Sequence, residues 1–301
     1  MMGNVLEITG LKKHFGSKQV LSGVTLSVPE SCVFGFVGRN GAGKTTTMKS
    51  VIGLLKPDGG EISVCGERVT YGSTKTNRFI GYLPDVPEFY GYMTAKEYLL
   101  LCGRVAGMDS KEIRQRSEEL LELVGLSGEK HRIKGYSRGM KQRLGIAQAL
   151  INRPKLLICD EPTSALDPVG RREILDILKN AVGQTSVFFS THILTDVERI
   201  CDRVAFLEGG RVALSGNIEE IRKQYADTAV EVQPEKPADT ALLAEHFSAG
   251  EQSDGCFLLK NASTEDAENL MKFLLENHIA IVRFERKEPD LENMFMEVIG
   301  E

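Results

Sequence analysis

Residues 38–45 read Gly-Arg-Asn-Gly-Ala-Gly-Lys-Thr, and their types and spacing suit one chemistry, the holding of linked phosphates. Glycines at 38, 41 and 43 let backbone N–H groups converge on anionic oxygens with no Cβ in the way. Lys44 adds a cation for the outer phosphates, and the Thr45 hydroxyl is a ligand for Mg2+. The pattern is G-x-x-x-x-G-K-[ST], which marks a phosphate-binding loop when a strand precedes it and a helix follows. Val33-Phe34-Gly35-Phe36-Val37 is an apolar run of strand length, and residues 45–55 read as a helix. The helix N-terminus would then turn its partial positive charge on the same anion. A Gly-rich turn is the plainer reading of the eight residues alone; the flanking strand and helix argue against it.

Two further stretches carry groups that act on a bound phosphate. Leu156-Leu157-Ile158-Cys159-Asp160-Glu161 is an apolar strand ending in two carboxylates. Beside a phosphate loop, Asp160 is suited to hold Mg2+ through water. Glu161 can polarise a water aimed at the terminal phosphate. Ser190-Thr191-His192 ends the next strand. A lone His is more often structural than catalytic, but an imidazole beside Asp160 and Glu161 can hydrogen-bond the terminal phosphate. Tyr136-Ser137-Arg138-Gly139-Met140-Lys141-Gln142-Arg143 opens a helix and supports two readings. One is an N-cap with a basic helix face. The other is a second phosphate site, made by a hydroxyl and bare backbone at a helix N-terminus.

The elements that must position these groups follow from apolar spacing. Val5–Thr9, Val20-Leu21 and Val24–Val28 read as short strands before the loop, which suggests an antiparallel sheet. Lys56-Pro57-Asp58-Gly59-Gly60 is a turn, and Glu61–Val64 and Phe79–Leu83 are strands. Helical spacing covers Thr94–Ala106, with a Thr94/Glu97 capping box, then Lys111–Val124 starting near Ser110, then Ser137–Ile151. Strands and helices alternate from 156 to 214: strand 156–159, helix 168–181, strand 186–189, helix 193–200 and a hairpin across Glu208-Gly209-Gly210. That alternation predicts a parallel α/β sheet. The tail reads as a small α+β domain: strand 228–232, helix 239–247, strand 257–259, helix 265–276 with a Ser263/Asp266 capping box, strand 279–284 and a short helix 291–299.

Composition sets outer bounds. The chain has 301 residues and a net charge of −5, which argues against broad nucleic-acid binding. Residues 222–301 carry 17 acidic and 8 basic side chains, while residues 1–221 have a basic excess, so a domain boundary is expected near 222. The six cysteines are widely spaced with no C-x-x-C pair, which points to buried free thiols and not to zinc or a disulfide framework. No apolar stretch approaches about 18 residues, and Met1-Met2-Gly3-Asn4 has no apolar signal core. The expectation is no direct membrane insertion.

Taken together, these motifs resemble the ATP-binding subunit of an ATP-binding cassette (ABC) transporter over about residues 4–220. Gly38–Thr46 matches the Walker A loop, Ser137-Arg138-Gly139-Met140 the signature, Leu156–Glu161 Walker B, Ser164–Asp167 the loop that follows it, and His192 the switch histidine. The resemblance implies an α/β P-loop ATPase core with an antiparallel β subdomain and a helical subdomain at about 86–152, plus a C-terminal accessory α+β domain at 222–301. It implies ATP and Mg2+ as ligands. Phe15 would stack on adenine. Gly38, Asn40, Gly41, Gly43, Lys44, Thr45 and Thr46 would hold the phosphates, with Ser137 and Gly139 closing from an opposing subunit. Glu161, His192 and Lys44 would be catalytic, and Thr45, Asp85 and Asp160 would serve the metal.

Three positions depart from the family pattern: Asp85 stands where Gln is usual, and in the signature Arg138 replaces a Gly and Met140 the Gln. The form Tyr-Ser-x-Gly-Met-Lys-Gln-Arg and the stretch Pro289–Phe295 are similar to the exporter branch of drug-resistance ATPases, whose permease is a separate chain. The expected partners are therefore that permease and a second ATPase subunit, identical or related, at the cytoplasmic face of the cell membrane. The aromatic-rich loop 85–93 is either a grip for a permease helix or a buried loop. The alternative function is a soluble ABC ATPase acting on a macromolecular target.

Overall fold

Alternating apolar side chains build the first sheet. In β1 (Asn4–Phe15), Leu6, Ile8 and Leu11 turn inward, as do Val24, Leu26 and Val28 of β2 (Lys18–Pro29). The structure, a computed structural model, describes residues 3–73, 75–224, 229–247, 250–253, 255–260 and 262–287. Sequence spacing suggested two short strands between 20 and 28, whereas β2 is one strand of 12 residues. The alternation slips because the β1–β2 register shifts at Ile8/Leu11, Leu11/Lys12 and Lys13/His14, each an irregularity that resets which face a side chain takes.

Next come β3 (Val33–Val37), α1 (Lys44–Val51), β4 (Gly59–Val64) and β5 (Glu67–Arg68). The first sheet has the antiparallel order β2-β1-β4-β5. Helix α1 ends four residues before the expected Leu55. The N–H of Leu54 donates to Lys49 O and that of Gly53 to Ser50 O, which closes the last turn.

The second sheet carries the chemistry. It uses β3 together with β6 (Ile80–Leu83), β7 (Leu156–Asp160), β8 (Ser186–Thr191), β9 (Arg203–Glu208) and β10 (Arg211–Asn217). The helices between them are α2 (Ala95–Val105), α3 (Ser110–Leu123), α4 (Arg138–Ala149), α5 (Pro168–Ala181) and α6 (Leu194–Ile200). The order is β10-β9-β3-β8-β7-β6, parallel except for the β9–β10 hairpin. Every residue of β3, β7 and β8 is buried, as strands covered on both faces require. Phe34 and Phe36 of β3 meet Phe188 of β8 with ring centroids 5.8 and 5.4 Å apart. That aromatic group joins Leu6, Ile8, Leu11 and Met48 in one core, so the antiparallel sheet and α1 pack on one face of the parallel sheet.

Parallel register brings strand ends together: Val37 pairs with Thr191, and Asp160 with Ser190. Helix α4 lies against edge strand β6 because Gly81 lets it; a Cβ there would come within 2.1 Å of Ala149 O. Helix α2 starts with the expected Thr94/Glu97 capping box. The cap of α3 is Asp109, one residue before the expected start, and its carboxylate accepts from Lys111 N at 2.8 Å.

The chain divides into two compact units, Met1–Ile218 and Glu219–Glu301, with α7 (Ile218–Gln224) at the division. The second unit contains β11 (Ala229–Pro234), α8 (Ala238–His246), β12 (Gly250–Ser253), β13 (Cys256–Leu259), α9 (Thr264–Glu276) and β14 (Ile281–Lys287). Its antiparallel sheet has the order β12-β13-β11-β14 over a core of Val230, Val232, Leu243, Phe257, Leu270 and Leu274. Strand β12 was not expected: Gly-Glu-Gln-Ser holds no apolar residue, and it is a strand by pairing with β13 at the sheet edge. The Ser263/Asp266 capping box of α9 is formed. The helix expected at 291–299 and the stretch 289–295 lie outside the described residues.

Candidate ATP-binding and hydrolysis site

The phosphate loop leaves the buried end of β3 and enters α1 at Lys44. Gly43 has φ 112°, and a Cβ there would sit 2.6 Å from Leu21 Cδ2, so the loop is pressed on β2. Helix α1 starts with no capping side chain and no acid in its first turn. Its first N–H groups are therefore left for an external anion. Asn40, Gly41 and Thr45 are exposed and Thr46 is half-buried, while Gly38 lies beneath them. Lys44 folds back over the loop: its Nζ donates to Gly38 O at 2.6 Å and to Arg39 O at 3.3 Å.

Asp160 closes β7, and its Oδ1 accepts from Ser190 Oγ at 2.7 Å. At Glu161 the chain turns sharply with φ 48°, a conformation costly for a residue with a Cβ. Its N–H donates to Ser190 O at 3.2 Å and Ser190 Oγ at 3.1 Å. The turn throws the Glu161 carboxylate toward the phosphate loop. Oε1 lies 3.1 Å from Lys44 Nζ, and Oε2 lies 2.9 Å from His192 Nδ1. The loops after β3, β7 and β8 thus converge on one carboxylate. Thr163 Oγ1 donates to Asp196 at 2.6 Å, and Arg171 donates to the same carboxylate at 2.6 Å, which ties the loop after Glu161 to α6.

Phe15 ends β1, half exposed, with Lys13 Nζ 5.5 Å from its ring centroid. Asp58 anchors this end. It accepts from His14 N at 2.7 Å and from Lys13 Nζ at 3.0 Å. The backbone N–H of His14, then the Lys13 ammonium, holds its carboxyl below the usual range.

A second cluster forms at the start of α4. Ser137 caps the helix, accepting from Met140 N at 3.2 Å. The nearest atom to a Cβ on Gly139 would be Leu166 Cδ2 at 3.9 Å, so its backbone faces open space. Arg138 Nη2 donates to Ser164 Oγ at 3.2 Å and lies 3.7 Å from Asp85 Oδ1. The Ser164 hydroxyl donates to that same Asp85 oxygen. Lys44, Glu161 and His192 are therefore brought together, while Asp85 meets Ser164 beside Arg138, Ser137 and Gly139 flank Arg138 at the start of α4, and Phe15 stands at the end of β1. Asp85, expected to serve a metal, makes these contacts with Ser164 and Arg138. The loop after it is exposed at Val86, Tyr90 and Tyr92.

The donors fit Mg2+. Thr45 and Asp160 offer oxygen only, and among the described residues no group of three His, Cys, Asp or Glu side chains could hold an ion. Such a sparse set suits a cation that keeps water and takes its remaining ligands from a bound phosphate. Sequence reasoning did not single out Ser190, Asp196 or Asp58 for roles. Only Ser190 left a signal, two residues before His192 on a strand whose neighbour ends in Asp160.

A nucleotide-binding cassette is the class of protein this fold and loop define, and comparison with known proteins specifies it. Residues 21–164 match the ABC transporter family, and residues 216–299 match the C-terminal domain of DrrA1-3-like ATP-binding proteins. The chain is 36% identical to the uncharacterized ABC transporter ATP-binding protein YxlF of Bacillus subtilis, covering 98% of this chain and 99% of that one. It is 33% identical to the bacitracin transport ATP-binding protein BcrA of Bacillus licheniformis, covering 99% and 98%. It is 32% identical to the linearmycin resistance ATP-binding protein LnrL of Bacillus subtilis, covering 98% of each. A solved ATP-binding subunit of an ABC transporter superposes with a TM-score of 0.66 at 34% identity, over 73% of this chain and 93% of that one. The chain belongs to the family of ABC transporter ATP-binding proteins and is an ATP-binding, ATP-hydrolysing subunit, as its motifs implied. No helix among the described residues is long and apolar enough to cross a membrane.

Proposed function

We propose that this subunit closes on Mg2+–ATP with a second ATPase subunit, identical or related, and uses hydrolysis to drive a separate membrane permease. The transport is export, a reading supported by relatives named for bacitracin transport and linearmycin resistance. The observation that carries the reading is the Glu161 carboxylate between Lys44 and His192 at the ends of β3, β7 and β8. In this reading Glu161 takes the proton of the attacking water, and His192 orients that water and the γ-phosphate. Lys44 and the α1 backbone bind the β- and γ-phosphates, joined by Gly38, Asn40, Gly41, Gly43 and Thr46. Thr45 and Asp160 hold Mg2+, which supplies charge neutralisation of the phosphate oxygens. Phe15 stacks on adenine. Ser137 and Gly139 close over ATP held by the opposing subunit, which suits the exposed Ser137 and half-buried Gly139 at the tip of α4.

Residues 1–221 act as the nucleotide-binding domain, with residues 86–152 as its helical part, and residues 222–301 as an accessory domain. The permease holds the protein at the cytoplasmic face of the membrane. The groove behind Asp85, about 460 Å³ and lined by Pro87, Phe89, Lys134 and Lys141, offers a seat for a permease helix. The test is gentle co-purification of the tagged protein from native membranes, with ATPase assay of the product. A polytopic membrane protein lacking its own cassette supports the reading. Ribosomal or DNA-bound material with no membrane fraction overturns it in favour of a soluble ATPase.

A further inference from the structure

Asp85, Ser164 and Arg138 come from three separate segments: the loop after β6, the loop after β7 and the first turn of α4. Their side chains meet at one oxygen, Asp85 Oδ1, which accepts from Ser164 Oγ and faces Arg138 Nη2 at 3.7 Å. Arg138 occupies an unfavourable place for a cation, the N-terminal turn of α4, where the helix dipole is positive and no acid stands in the first turn. Lys134 and Lys141 line the same groove, with Glu88 as its other acid. The counter-charge for Arg138 is therefore brought by Asp85 from another segment.

Ser164 carries the contact onward. Its N–H donates to Glu161 O at 3.1 Å, closing a turn that begins at Glu161, with φ 48°, and is followed at once by Ala165, with φ 51°. A loop strained at two non-glycine residues keeps its shape only when its surroundings hold it. Thr163 is held from one side by Asp196. Ser164 is held from the other by Asp85 and Arg138.

We infer that Arg138 and Asp85 are positioning residues for hydrolysis: their pairing through Ser164 fixes the turn that aims Glu161, and it links that turn to the groove behind β6. The inference rests on the assignment of Glu161 as the base. Both partners are about half exposed, so the ion pair by itself is weak. The shared charge-assisted hydrogen bond adds to it.

The experiment is a double-mutant cycle of Asp85→Asn and Arg138→Gln in the full chain, read by ATPase kinetics and by amide hydrogen exchange over residues 163–166. Each single variant should lower kcat by about 3- to 10-fold, and each should speed exchange in the turn. The double variant should be no worse than the weaker single one, because contacting residues are non-additive. Losses that multiply in the double variant, or exchange at wild-type rates in both single variants, overturn the inference. Wild-type turnover in Glu161→Gln would instead overturn the base assignment, and the exchange measurement would still test the link to the turn.

Discussion

Lys44 Nζ lies 3.1 Å from Glu161 Oε1, so the cation meant for phosphate and the carboxylate meant for water share one point in space. The pairing follows from topology: the parallel strands β3 and β7, with β8 between them, deliver both residues to the same end of the sheet. In the proposed mechanism it would also locate the reacting atoms. A terminal phosphate bound by Lys44 is within reach of a water bound by Glu161, with His192 on the far carboxylate oxygen at 2.9 Å.

Glu161→Gln keeps the shape and the contact with His192 but cannot take a proton. Nucleotide binding should persist while steady-state hydrolysis falls by about 10²- to 10⁴-fold. Phosphate release under saturating ATP, alongside a nucleotide-binding titration, measures both. Unchanged turnover would remove Glu161 from the role of base.

Ser190→Ala tests how the acids are held. Ser190 is fully buried, donates to Asp160 and accepts from the N–H of Glu161. Its loss takes the hydroxyl donor from the buried Asp160 carboxylate, which costs about 1–3 kcal/mol of stability, while the Glu161 N–H keeps Ser190 O. The melting temperature should fall, and turnover should fall with it because the Asp160 carboxylate and the backbone turn at Glu161 each lose a hydrogen bond. A variant with wild-type melting and turnover would show that the backbone alone positions them.

Gly139→Ala separates folding from closure. A methyl group there meets nothing closer than Leu166 Cδ2 at 3.9 Å, so the isolated subunit should fold and melt as wild type does. Gly139→Asp adds a carboxylate at the tip of α4 where the proposed phosphate contact forms. It should spare ATP binding by separate subunits and abolish the ATP-dependent dimer, as read by light scattering in the Glu161→Gln background. Closed dimers of Gly139→Asp would rule out the phosphate contact.

How much was legible beforehand depended on the range of the interaction. The phosphate loop and the Asp160-Glu161 pair are contiguous strings, because a tight turn and a strand end each need consecutive residues. Helices α2, α4, α5 and α9 were readable from caps and apolar spacing for the same local reason. Strand β12 was not, since its Gly-Glu-Gln-Ser sequence is ordered by its neighbour alone. Asp58 and Asp196 were silent too: a carboxylate that anchors a remote loop looks like any surface acid until the chain folds. The Asp85–Arg138 contact belongs to this group. Each residue stood out as a departure from a motif, but only the packing of α4 on β6 brings them face to face.

Cys159 makes the last prediction, about pH. It lies fully buried in β7, one residue before Asp160, and burial first, then that neighbouring charge, pushes its thiol well above the ordinary value of 9.0. Cys201 is raised for the same first reason, and Cys32 to about 11. A thiol protonated in the fold and ionised in the unfolded chain gives stability that is complete below the unfolded pKa. That stability is lost as pH rises toward the folded value. The melting temperature should therefore decline as pH climbs from about 8.5 to 9.5, below the range where tyrosines ionise. Cys159→Ala should start from a lower melting temperature, because it leaves a small void in the core. It should also decline less steeply, by about 1.4 kcal/mol of stability per pH unit once the unfolded thiol is ionised. Parallel curves for the two proteins would show that the Cys159 thiol contributes nothing to the alkaline loss of stability.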